Sequence, residues 1–264
     1  MLSTLILKEL KSILLSPKFT ATFAVCSLLM LLSTYIGIQE YCASVKQYET
    51  AVQLVDQELR EKTDWMAVSN RIYRTPDPLS IFVTGITNDI GRWSSVDHFN
   101  TVKLRHSSYS DDPIFALFRF VDFTFIVQIV LSLFAILFTY DSINGERESG
   151  RLKLVFSKAV PRVKYITAKF VGSWLGLVLP LTIPFAICLL LVMLYNVPFT
   201  AHHWLSLFQL VGISLLYFTF FMALGIFISA MTKQSNVSFL LSFVIWILLV
   251  LIIPRVGIIT AGQL

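Results

Sequence analysis

The sequence predicts an all-α integral membrane protein. It has five transmembrane helices, an N-terminal interfacial helix, a charged amphipathic helix between the second and third spans, and one polar segment on the opposite side. Three observations carry this. Of 264 residues, 56% are hydrophobic and 14% charged, whereas an ordinary soluble domain carries about 25% charged residues. The apolar residues gather into nearly uncharged runs of roughly 18 residues or more, long enough to cross a hydrocarbon core. The connections between runs differ in the sign of their charge.

Within residues 1–18, positions 2–15 read "LSTLILKELKSILL". A helix there puts Leu2, Ile6, Leu10, Ile13 and Leu14 on one face and Lys8, Lys11 and Ser12 on the other, the pattern of a helix lying in the membrane interface with Lys8, Glu9 and Lys11 toward headgroups. Those charges interrupt the first apolar stretch, and no small-residue cleavage site follows the first full span, so no cleavable signal peptide is expected. Pro17 ends the helix and the first span follows at 19–38.

Residues 39–113 are polar. They start as a helix, because Val45, Tyr48, Val52, Val55 and Leu59 form a short heptad-like stripe. It reads either as a stalk prolonging the first span or as an amphipathic helix of a separate subdomain. After "RTPDPLS", which holds Pro76 and Pro78, come Gly85, Gly91 and several β-branched residues, which predict loops and short elements without fixing them. The second span is expected at 114–140 and a charged connection at 141–164. Residues 165–253 hold three more spans, at about 165–194, 205–231 and 237–253. Residues 254–264 follow the fifth span and are expected on the outer side, ahead of any sixth span.

Basic residues set the orientation. The N-terminus, 140–170 and 232–236 together hold eleven Lys and Arg against four acids, whereas 39–113 holds eight basic and eleven acidic residues, net −3. The positive-inside rule puts the first group in the cytoplasm and 39–113 outside. The expected location is the cell (inner or plasma) membrane, multi-pass, with a cytoplasmic N-terminus.

Catalytic and metal signatures are missing. Gly145 and Gly150 have the glycine spacing of a phosphate loop, but Arg151 and Leu152 stand where it needs Lys and Ser or Thr, and no strand precedes them. Cys26, Cys42 and Cys188 form no metal or disulfide pattern. His202 and His203 are adjacent without an acidic or thiol partner in sequence, which favours an interfacial place beside Trp204 over a metal site; His98 and His106 are nonspecific. No membrane-embedded hydrolase motif occurs, and no basic patch with aromatics points to nucleic acid. Inside the spans the ionisable candidates are Arg119 and Asp122, spaced to share a helical face as an ion pair or, less favoured, to meet a substrate. Pro180 and Pro184, preceded by Gly172 and Gly176, predict a kinked or softened third span.

The connection "YDSINGERESGRLKLVFSKAVPRVKYITAKF" concentrates three acids and seven basic residues. On a helical wheel over 147–159, Leu152, Val155, Phe156 and Ala159 share one face, with Arg147, Arg151 and Lys158 opposite. Lipid binding explains the basic face, but not the acid-first order of Glu146, Arg147 and Glu148.

The stretch "NGERESGRLKLVFSKAVPRVKYITAKFVG" resembles the segment between the second and third spans of ABC-2-type transporter permeases. Glu146, Glu148, Gly150, Leu152, Leu154, Ser157, Pro161, Arg162 and Lys169 sit at matching positions, and Arg151 replaces a frequent Thr. "LILKELKSILLSPKF" is similar to the family's opening, and "RTPDPLSIFVTGI" to the branch with a large external insertion. The resemblance covers essentially the whole chain.

It implies a permease subunit that binds no nucleotide and is not itself an enzyme. ATP and Mg would sit on partner ABC ATP-binding subunits, two in number, and a second permease would complete a homo- or heterodimer for export or mechanical transmission. The helix in 141–164 becomes a coupling helix whose Glu146, Arg147, Glu148, Gly150, Leu152, Val155, Phe156 and Arg162 contact the ATPase, with 1–18 as connecting helix. Family members normally have six spans and end in the cytoplasm; the five seen here read as a fragment truncated before a sixth span, as a bundle whose missing part another chain supplies, or as a naturally short variant. The alternative is a membrane sensor or scaffold whose 39–113 segment binds an external partner protein.

Overall fold

The computed structural model describes residues 2–61, 70–85, 93–96, 104–105, 122–157 and 161–261. Helix α1 covers Leu2–Leu14 and α2 covers Pro17–Glu61. Helix α3 is composite: Phe123–Phe125, a π-helical turn over Ile126–Leu131, then Ser132–Thr139. Two short helices follow, α4 at Asn144–Glu148 and α5 at Arg151–Ser157. Helix α6 is Arg162–Leu194 and α7 is Ala201–Met231. Helix α8 joins Ser235–Trp246, a second π-helical turn over Ile247–Ile252, and Ile253–Ala261.

Among the described residues five helical stretches are long and apolar enough to cross a membrane: Pro17–Arg60, Phe123–Glu148, Arg162–Leu194, Ala201–Met231 and Ser235–Gly257. The protein is an all-α membrane protein with one small addition. Strands β1 (Asn70–Tyr73), β2 (Trp93–Val96) and β3 (Leu104–Arg105) form an antiparallel meander, Asn70 opposite Val96 and Trp93 opposite Arg105. Helix α2 continues without a break from the first apolar run into the polar stripe ending at Glu61.

The chain divides into two compact units. The first contains Met1–Leu29, Phe125–Ile187 and Phe208–Leu264. Its core gathers Ile13, Ala135, Ile136, Phe221, Met222 and Trp246 from α1, α3, α7 and α8. Helix α3 meets α7 and α8 through hydroxyls as well as methyls. Trp246 Nε1 donates to Ser132 Oγ at 2.8 Å, and Ser238 Oγ donates to the Tyr140 carbonyl at 2.7 Å. Small hydroxylated residues let membrane helices approach closely and hydrogen-bond across the contact.

The second unit contains Met30–Thr124 and Cys188–Leu207. Here a 3₁₀ turn at Pro78–Ile81 carries Ile81 and Phe82 into the interior. Asp77 caps this turn by accepting from Leu79 N at 2.9 Å, and Phe123 N donates to the Phe82 carbonyl at 3.0 Å. The motif "PDPLSIF" is therefore a capped turn: Asp77 satisfies an orphan amide and Pro78 supplies the fixed φ of a first helical position.

Candidate functional site

Residues 141–157 do not form the single helix expected over 147–159. Helix α4 ends at Glu148, and α5 starts only at Arg151. Gly150 causes the break, since its φ of +72° lies in the left-handed region that a side chain disfavours. Ser149 N still reaches the Gly145 carbonyl at 3.1 Å and Gly150 N the Arg147 carbonyl at 3.2 Å, so the first helix ends with its amides satisfied.

The acids of α4 are bound within the chain. Glu146 Oε1 lies 2.7 Å from Lys169 Nζ, and its Oε2 accepts from the Tyr165 hydroxyl at 2.5 Å. Lys169, on α6, also meets Glu9 Oε2 of α1 at 2.8 Å. The lysine side chain is 9% exposed, with Glu9 at 15% and Glu146 at 18%. One ammonium thus ties three helices together. Both contacts are charge-assisted, with little water to compete.

Glu148 ends at the start of α8. Its Oε1 accepts from Ser235 N at 2.8 Å and its Oε2 from Ser235 Oγ at 2.9 Å. Gln234, the residue before that helix, makes no side-chain cap. The carboxylate takes the place of a cap and lies at the positive end of the helix dipole. Arg147 Nη1 donates to the Thr232 carbonyl at 3.1 Å. Asn144, fully buried, donates to Thr232 Oγ1 at 3.0 Å, while Ser229 Oγ accepts from Ile143 N at 3.0 Å. Every polar side chain of α4 is committed to a neighbouring helix or turn.

Helix α5 has two faces. Leu152, Val155 and Phe156 pack on a cluster of Ile143, Tyr165 and Ile226, with Phe156 edge-on to Tyr165 at 5.7 Å between ring centres. Arg151, Lys153, Leu154 and Ser157 are exposed, Leu154 by 69%. The apolar face, Leu152, Val155 and Phe156, packs on its own chain; of the other residues expected on that wheel, Arg147 belongs to α4, and Lys158 and Ala159 lie outside the described residues.

Helix α1 docks where α6 has no side chain. A Cβ on Gly172 would lie 2.7 Å from Glu9 Cβ and 3.2 Å from the Ile6 carbonyl oxygen. Gly176, one turn on, faces Ile13. Read in sequence as softening a span, these glycines form the close-approach surface of a helix crossing. Lys8 and Lys11 are exposed, while Glu9 turns inward to Lys169.

A family model described as ABC-2 family transporter protein matches residues 3–264. The chain belongs to that family. No curated protein matches it. As an ABC-2 family transporter protein it is a multi-pass permease component of an ABC transporter, the membrane subunit of a system that includes an ABC ATP-binding partner.

The remaining expected positions of this ABC-2 protein fall as follows. Arg162 is exposed at the start of α6, and Pro180 and Pro184 lie inside that one uninterrupted helix. Arg119 lies outside the described residues. Asp122 accepts from Thr84 N at 3.3 Å. Among the described residues no group of His, Cys, Asp and Glu is placed to hold a metal. His203 Nδ1 accepts from Thr200 N at 3.1 Å, with its Nε2 3.7 Å from Asp77 Oδ1. Sequence reasoning counted Lys169 among the basic residues and matched it to the family pattern, yet missed its two carboxylate partners, one of them 160 positions away. It also missed Tyr165 and Ser235.

Proposed function

We propose that this chain converts ATP hydrolysis by partner ABC subunits into movement of its spans, with α5 as the surface that receives the push. The ATPase grips the outward face of Arg151, Lys153, Leu154 and Ser157. Helix α4 passes the displacement to α6 and α1 through Lys169, and to α8 through Glu148. Two ATPases holding ATP and Mg, and a second permease, complete the assembly, with the N-terminus on the cytoplasmic side. The work drives export or mechanical transmission.

The observation that carries this reading is the commitment of Glu146 and Glu148 to Lys169 and Ser235. A helix held to its neighbours by desolvated charge pairs moves with them, whereas a helix that merely rested on lipid would need no such ties. The residues that contact the ATPase are accordingly not Glu146, Leu152, Val155 or Phe156, whose side chains face their own chain, but the exposed set around Leu154.

Copurification with ATP turnover tests this. In membranes holding the whole transporter, Leu154→Asp with Arg151→Glu is expected to lower recovery of the ATPase with the permease by about tenfold, while the permease remains folded. Unchanged recovery and unchanged turnover would contradict the reading.

A further inference from the structure

Helices α3 and α8 each contain one π-helical turn, Ile126–Leu131 and Ile247–Ile252. The two turns share one core, in which Ile129 and Leu131 of α3 join Ile247, Leu249 and Val250 of α8. A π turn fits one residue more than the α-helix around it, and such turns are frequent at functional positions. The two are held open in different ways.

In α8 the cause is covalent. Pro254 follows the turn, has no N–H to give, and its ring crowds the carbonyl of Val250 four residues back. A π adjustment is one way in which a spanning helix absorbs a proline. Ile253 N accordingly reaches the Leu248 carbonyl, five residues back.

In α3 nothing covalent requires the turn, since residues 122–140 contain neither Pro nor Gly. Ser132 N donates to the Val127 and Ile129 carbonyls and skips that of Gln128, its α-helical partner. Ser132 Oγ donates to the Gln128 carbonyl instead, with that of Ile129 at 3.3 Å. Its proton thus used, the hydroxyl turns a lone pair to Trp246 Nε1, which donates at 2.8 Å. Trp246 is the residue immediately before the π turn of α8. The half of α3 after the turn is anchored. Ala135, Ile136 and Thr139 are fully buried, Gly225 of α7 leaves room for Thr139 Oγ1, and Ser238 of α8 holds the Tyr140 carbonyl. A change of register in α3 therefore moves the residues ahead of the turn.

We propose that the π turn of α3 is a register switch latched by α8. Ser132 and Trp246 hold the π form, and loss of their contact returns Ser132 N to the Gln128 carbonyl in an ordinary α-helix. The Gln128 carbonyl keeps a partner in both forms, so neither strands a buried acceptor. The exchange advances the residues ahead of the turn by one position, about 100° around the helix axis and about 1.5 Å along it. Residue 125 then takes the place of 124, and 124 that of 123. Helix α8 is tied at its start to α4 by Glu148, so a shift of α8 reaches α3 through this latch. The switch goes beyond the transporter reading and stands without it, because every group in it belongs to this chain.

Thr124 is exposed and Phe123 buried, which gives the register a readout. The test uses the full chain in nanodiscs with Cys42→Ser, the buried Cys26 and Cys188 retained, and a nitroxide on Thr124→Cys or Phe125→Cys. Collision with oxygen measures the exposure of each label, and in the parent 124 should be the more accessible. Ser132→Ala removes both hydroxyl bonds and should lower the 124-to-125 accessibility ratio about threefold. Trp246→Phe removes the indole donor alone and should lower it by less. Ser238→Ala deletes an α3–α8 hydrogen bond beyond the turn and should leave the ratio as in the parent. An unchanged ratio in either latch variant, or an equal fall in Ser238→Ala, would overturn the proposal.

Discussion

Lys169 Nζ lies 2.7 Å from Glu146 Oε1, and this contact joins the charged connection to the third span. The same nitrogen reaches Glu9 at 2.8 Å, so removing one cation strands two carboxylates. Breaking a buried ion pair from one side costs about 3–5 kcal/mol, because the remaining charge keeps its desolvation penalty. Lys169→Met should therefore lower stability by about 3 kcal/mol. Adding Glu9→Gln and Glu146→Gln to that variant should recover most of the loss. Unfolding in mild detergent, followed by tryptophan fluorescence, measures both. Equal stability of Lys169→Met and the parent would contradict the assigned roles.

Gly172 is where α1 touches α6. Ala in place of Gly favours an isolated helix by about 1 kcal/mol, but here its Cβ meets Glu9 Cβ at 2.7 Å. The clash should outweigh the propensity gain. Gly172→Val should release α1 and raise tryptic cleavage after Lys8 and Lys11, since cleavage needs local opening. Gly212, with no atom near its hypothetical Cβ, supplies the control: Gly212→Ala should leave cleavage unchanged.

Gly150 tests the break between α4 and α5. At φ +72° a β-branched residue is strained, whereas Asn tolerates the left-handed region. Gly150→Val should cost about 1–2 kcal/mol and Gly150→Asn much less. If α4 and α5 instead form one helix in the membrane, Gly150→Val would be neutral and Gly150→Ala stabilising.

The Trp246–Ser132 hydrogen bond predicts a smaller effect. Both partners are buried and the distance is 2.8 Å. Side-chain hydrogen bonds between membrane helices average about 0.6 kcal/mol, because the separated helices also find partners. Ser132→Ala should cost about that amount and shift Trp246 emission, well below the effect of Lys169→Met.

The spans were legible because hydrocarbon imposes length and uniformity on a sequence, and α6 and α7 cover the runs that hydropathy marks. The face of α5 was legible too, since Leu152, Val155 and Phe156 share a wheel sector. What a wheel cannot hold is the identity of the partner: an apolar face packs equally well on its own chain or on another protein. Glu146 looked available for docking because its cation is 23 positions on, along a separate helix. Glu148 looked the same because the helix start it caps lies 87 positions away. Gly172 carried two meanings, softness and closeness, and only the position of α1 decides between them. The strands β1 to β3 are too short for periodicity to register.

In the proposed assembly α5 shows its charged, Leu154-bearing face to the ATPase and keeps its Phe156 face for its own chain. Site-specific photo-crosslinking in the assembled transporter tests it most directly, with a benzophenone residue at position 154 in one sample and at 156 in another. Crosslinks to the ATP-binding subunit are expected from position 154, and crosslinks within the permease from position 156. Crosslinks to the ATPase from 156 and none from 154 would contradict it.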